Sequence, residues 1–77
     1  MEIRVFSTPT CPYCVLAKNY FKSKKIDFQD FDVSIDRQKA QEMVDLSGQM
    51  GVPVIVIDNK VIIGFDQAQI EKLIDKK

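Results

Sequence analysis

The chain's two cysteines stand together in Thr10-Cys11-Pro12-Tyr13-Cys14, and no histidine occurs among its 77 residues. Thiols at this spacing serve either as a redox pair or as half of a metal site. Only a thiolate attacks a disulfide efficiently, and cysteines in such motifs at helix N-termini ionise at roughly 3.5 to 7.5, against about 8.5 for a free thiol. A helix beginning at Pro12 leaves its first N–H groups unpaired and aimed at Cys11, where they and the helix dipole favour negative sulfur. Cys14, one turn later on the same face, can then attack any disulfide that Cys11 forms. Pro12 suits the first helical position because its missing N–H would be unpaired there anyway, and its rigidity limits how far the two sulfurs separate. Thr8, Thr10, Lys18 and the N–H groups of Tyr13 and Cys14 remain to tune the sulfur. Tyr13 itself is either an aromatic wall of a crevice or the first member of an apolar helix stripe.

Other chemistries fall on residue counts. Without histidine there is no Cys–His acyl transfer. A closed zinc site wants four nitrogen or sulfur ligands, and one chain offers two thiolates, so no resident metal is expected. An iron–sulfur cluster shared by two chains and external thiols is the alternative left open. A purely structural staple is a poor use of a loop this short, which removes little unfolded-state entropy.

The cysteines need elements to hold them. Ile3–Phe6 is a β-prone run ending in the turn-forming Ser7-Thr8-Pro9-Thr10. From Pro12 to about Lys24 the apolar residues Tyr13, Leu16, Ala17, Tyr20 and Phe21 recur at helical spacing. Ile26–Gln29 alternates like a half-buried strand that ends or bulges near Asp30. Asp36 can cap a second helix with Ala40, Met43, Val44 and Ser47 on one face, and Gly48 suits its left-handed end. Val52–Ile57 and Val61–Ile63, around Asp58-Asn59-Lys60, predict a hairpin of strands buried on both faces near the sheet centre. Asp66 with Gln69 predicts a capping box for a last helix bearing Ile70, Leu73 and Ile74, with Lys72, Lys76 and Lys77 near its negative end. The expected class is α/β, ordered β-α-β-α-β-β-α over a single domain, residues 1–77. A four-stranded mixed sheet lies between layers of helices, with Cys11 in the crevice at the C-terminal edge of the first strand. Val52-Pro53 opens an apolar strand. A cis bond there would turn the preceding backbone toward the thiols and let the Val52 N–H and C=O pair with an extended substrate.

Composition bounds the partners. Eleven basic and eleven acidic residues cancel, and the one dense basic cluster, Lys22 to Lys25, falls at a helix end where cations favour the dipole. Nucleic acid would require a broader basic face. No apolar stretch approaches the roughly twenty residues that cross a bilayer, and the first residues lack a signal-peptide pattern. The expectation is a cytoplasmic monomer without nucleic-acid or membrane partners.

The motif set resembles the glutaredoxin family of the thioredoxin superfamily: Cys11-Pro12-Tyr13-Cys14 after the first strand, Gly51-Val52-Pro53 before the third, Gly64-Phe65-Asp66 ahead of the last helix. The resemblance implies a dithiol oxidoreductase in which Cys11 is the nucleophile, Cys14 the resolving thiol, Pro53 cis, and Val52 a main-chain substrate contact, with Thr8, Pro12, Tyr13, Gly64, Phe65 and Asp66 around the substrate. It implies disulfide-bearing proteins or glutathione mixed disulfides as substrates, glutathione or thioredoxin reductase as reductant, and hairpin strands adjoining the first strand. No tightly bound cofactor is implied, with glutathione at most a co-substrate. Two departures bear on the donor. Family members that use glutathione usually carry a cation three residues before the first cysteine, and often another before the Val-Pro; here these positions hold Thr8 and Gln49. The Gly-Gly-x-Asp-Asp pattern is reduced to Ile63-Gly64-Phe65-Asp66-Gln67, leaving Asp66 as a cap or as a contact for a peptide amine. Charge-assisted hydrogen bonds lost at about 1.5 to 3 kcal/mol each weaken glutathione binding by an order of magnitude or more, unless Arg37, Gln38 or Lys39 substitutes. In these respects the chain is similar to NrdH-like redoxins.

Overall fold

A computed structural model describes residues 2–74, with β1 Ile3–Ser7, α1 Pro12–Ser23, β2 Gln29–Asp32, α2 Arg37–Ser47, β3 Val54–Ile57, β4 Lys60–Ile63 and α3 Gln67–Ile74. The strands form one mixed sheet in the order β2-β1-β3-β4. β1 runs parallel to β2, Arg4 facing Gln29 and Ser7 facing Asp32, and antiparallel to β3, Val5 facing Ile55. The expected element order therefore holds, and β1 and β3 occupy the centre.

Strand alternation divides the apolar residues between two cores. Ile3, Val5, Ile55 and Ile57 point to one face, where Ala17 and Phe21 of α1 and Ile70 and Ile74 of α3 pack on them. Phe6, Val54 and Val56 point to the other, against Met43 of α2. Every residue of β3 is buried. Asp36 caps α2 through a carboxylate oxygen 3.1 Å from the Lys39 N–H, and Gly48 ends it at φ 75°, where a side chain would be strained.

Four expectations need correction. The face of α1 turned to the core carries Cys14, Ala17 and Phe21, while Tyr13 and Leu16 are 62% and 50% exposed; the apolar stripe counted surface residues as core. The second strand begins at Gln29, not Ile26. Ile26 instead closes α1, its N–H donating to the Phe21 carbonyl, and Ile26 and Phe28 pack on the first core from the connection. β4 is an edge strand with Ile63 more than half exposed, so only β3 of the hairpin is buried on both faces. At α3, Asp66 does accept from the Gln69 N–H at 3.3 Å, but the Gln69 side chain returns to the Asp66 carboxylate at 2.9 Å, whereas a capping box bonds the cap's backbone N–H. Lys76 and Lys77 lie outside the described residues.

Candidate active site

Cys11 is the N-cap of α1, with extended backbone (φ −90°, ψ 113°), and Pro12 takes the first turn as expected. From the cap the Cys11 sulfur accepts a hydrogen bond from the Cys14 N–H at 3.2 Å. A thiolate is the better acceptor for that bond, and the helix N-terminus adds its partial positive charge. Both thiols are unbonded; Cys11 is half-buried and Cys14 fully buried.

Burial sets the two apart. It pushes the Cys14 thiol from 9.0 up to about 12, helped by the hydrogen bond to Cys11 and by the charge there; a backbone hydrogen bond from Thr8 and the Lys18 ammonium pull the other way. Cys14 therefore keeps its proton at neutral pH while Cys11 stands where reagents can reach it. Two of the causes that hold the Cys14 proton depend on Cys11 being free. Once Cys11 is consumed in a mixed disulfide it carries no charge, and the balance at Cys14 moves toward ionisation. The two thiols thus differ in exposure and in how firmly each holds its proton.

Beside the motif lies an open cleft of about 440 Å³. Tyr13, Val52 and Pro53 line one part of it, and Ile63, Gly64, Phe65, Asp66 and Gln67 the rest. The Val52–Pro53 peptide is cis. Gly64, at φ 80°, donates its N–H to the Pro53 carbonyl at 2.8 Å, tying the end of β4 to the residue that opens β3. Phe65 is half-buried, edge-on to Tyr20 with ring centroids 5.8 Å apart, which fixes the floor between α1 and α3. The cleft brings together Tyr13, Val52, Pro53, Gly64, Phe65 and Asp66 as expected, and resolves Tyr13 as wall rather than core. Thr8 sits apart from the lining, half-buried, its carbonyl accepting from the Cys11 N–H at 3.4 Å.

Among the described residues, Asp66 is the one charged residue in the lining, which holds no cation. Gln49 does not reach in: its carboxamide brackets Gly51, accepting from that residue's N–H and donating to its carbonyl. Lys39 is held by Glu42 at 3.2 Å and stands 4.3 Å from the Phe31 ring centre, and Arg37 and Gln38 are exposed outside the lining. None of the three substitutes for the missing basic residues within the cleft. Ile63 and Gln67 belong to the lining and were not foreseen; their place beside Gly64 and Asp66 was the available signal.

A glutaredoxin family profile matches residues 3–62. The chain belongs to the glutaredoxin family. It is 54% identical over 74 residues to an uncharacterised glutaredoxin-like 8.6 kDa protein from the rubredoxin operon of Clostridium pasteurianum, covering 96% of this chain and 99% of that one. It is 38% identical over 65 residues to glutaredoxin 3 of Escherichia coli, covering 84% and 78%. Its fold superimposes on the NrdH-redoxin of Escherichia coli with a TM-score of 0.84 over 95% of each chain, at 22% identity. As a family member the chain is a glutaredoxin-like thiol–disulfide oxidoreductase of thioredoxin-like fold. No helix among the described residues is long and apolar enough to cross a membrane.

Proposed function

We propose that the chain is a dithiol reductant of protein disulfides, recharged by thioredoxin reductase rather than by glutathione. The Cys11 thiolate attacks one sulfur of the substrate disulfide, forming a mixed disulfide and expelling the other sulfur as a thiolate that takes up a proton. Cys14 then gives its proton to solvent and attacks the Cys11 sulfur, releasing the second substrate thiol and leaving a Cys11–Cys14 disulfide. Two electrons and two protons from the reductase return it to the dithiol. Val52 presents its backbone to an extended segment in the cleft, and the apolar walls of Tyr13, Ile63 and Phe65 take its side chains.

The observation that carries the choice of donor is the cleft's charge. Glutathione brings two carboxylates, and among the described residues the lining offers Asp66 and no cation. A protein segment needs no such partners, since its affinity comes from main-chain hydrogen bonds and apolar contact. The test follows NADPH oxidation with the oxidised protein and either thioredoxin reductase or glutathione plus glutathione reductase, at matched concentrations. The expected result is turnover with the first couple at least about tenfold faster than with the second. Equal or faster turnover with glutathione overturns the choice.

A further inference from the structure

Beneath the motif, on the side away from the cleft, three polar groups meet. Ser7, only 2% exposed at the end of β1, donates its hydroxyl to an Asp30 carboxylate oxygen of β2 at 2.9 Å. Lys18 of α1 reaches the same two residues, its ammonium 3.1 Å from the other Asp30 oxygen and 3.5 Å from the Ser7 hydroxyl. Lys18 lies one helical turn beyond Cys14 on the same face. Ser7 precedes Thr8, the residue whose backbone hydrogen-bonds the Cys14 sulfur. The Lys18 side chain is 23% exposed and that of Asp30 42%.

We propose that Lys18 is a positioning residue for the second chemical step, its tethered positive charge drawing the proton off Cys14 once Cys11 is locked in the mixed disulfide. The proposal rests on the reading of Cys14 as the resolving thiol. Among the described residues the groups that act on the Cys14 sulfur, besides burial itself, are Cys11 at the helix cap, the Thr8 backbone and Lys18, and Lys18 is paired with Asp30. In the mixed disulfide the Cys11 charge is gone. Lys18 is then the one charged group in that set that favours a Cys14 thiolate, and Asp30 both fixes and partly offsets it. Opposite substitutions in the pair must therefore act in opposite directions.

A small aromatic disulfide, dithiobis-nitrobenzoate, separates the steps. Attack by Cys11 releases one coloured thiolate and leaves the second on Cys11; attack by Cys14 on the Cys11 sulfur releases that second one and closes the internal disulfide. In Lys18→Met the second phase is expected to move up in pH by about one unit. At neutral pH the thiolate fraction then falls about tenfold, and because a more basic thiolate is the better nucleophile the rate falls about three- to fourfold. Lys18→Arg keeps the wild-type profile, and Asp30→Asn moves it down. A structural role would make Lys18→Met and Asp30→Asn err in the same direction, and that outcome, or an unmoved profile in Lys18→Met, overturns the proposal. Failure of the underlying reading looks different: the wild type would show no second phase, or would carry the label on Cys14.

Discussion

One thiol fully buried and one half-buried make Cys-Pro-Tyr-Cys a pair of inequivalent sulfurs. The motif and its helix were legible in the chain, because Pro12 and the spacing dictate who caps whom. The burial that distinguishes Cys14 was not legible, since it depends on how α1 meets the sheet. That burial also sets a pH dependence of stability. The Cys14 thiol is raised in the folded chain, so the folded form binds more protons than the unfolded form between 9.0 and about 12. Its contribution is fully present below pH 9 and is lost as pH rises toward 12. Urea unfolding of the reduced protein across that range should show a steeper alkaline loss for the wild type than for Cys14→Ser. Parallel curves would mean that the thiol titrates alike in both states.

At the scale of elements, two helix caps that look alike in sequence differ in what they position. Asp36 and Asp66 each accept from an N–H three residues on. Replacing either by Ala should cost about 1 kcal/mol, read from the urea midpoint. Asp36→Ala should leave reductase activity unchanged, because α2 packs on the opposite core from α1, whereas Asp66→Ala should also alter KM for a protein disulfide because Asp66 lines the cleft. A KM equal to wild type in Asp66→Ala would remove Asp66 from the substrate's reach. Hydrophobic periodicity and turn signals gave the order of helices and strands but misjudged faces and the place of β2. They read Leu16 and Ile63 as core, although both are half exposed or more, and they left Tyr13 open between wall and core. They started β2 three residues early, because Ile26 and Phe28 are half-buried against the first core without being paired in the sheet. The central place of β3 and the edge place of β4 follow from topology, which two similar β-branched runs do not distinguish.

At the scale of the molecule, the order β2-β1-β3-β4 places the start of α1, the cis Val52–Pro53 peptide, the end of β4 and the start of α3 around one cleft. These segments lie far apart in the chain, and the three motifs that mark them were what made the architecture legible. The Lys18–Asp30–Ser7 contact was not, being assembled from three elements with no local pattern. In the proposed function one sulfur, Cys11, is the point of entry for every substrate, and that proposal has a direct measurement. Cys14→Ser and Cys11→Ser are each incubated at neutral pH with a peptide disulfide, quenched in acid and mapped by mass spectrometry. A lasting mixed disulfide is expected on Cys11 in the first variant and none on Cys14 in the second. Adduct accumulating on Cys14 in Cys11→Ser as fast as on Cys11 in Cys14→Ser would contradict it.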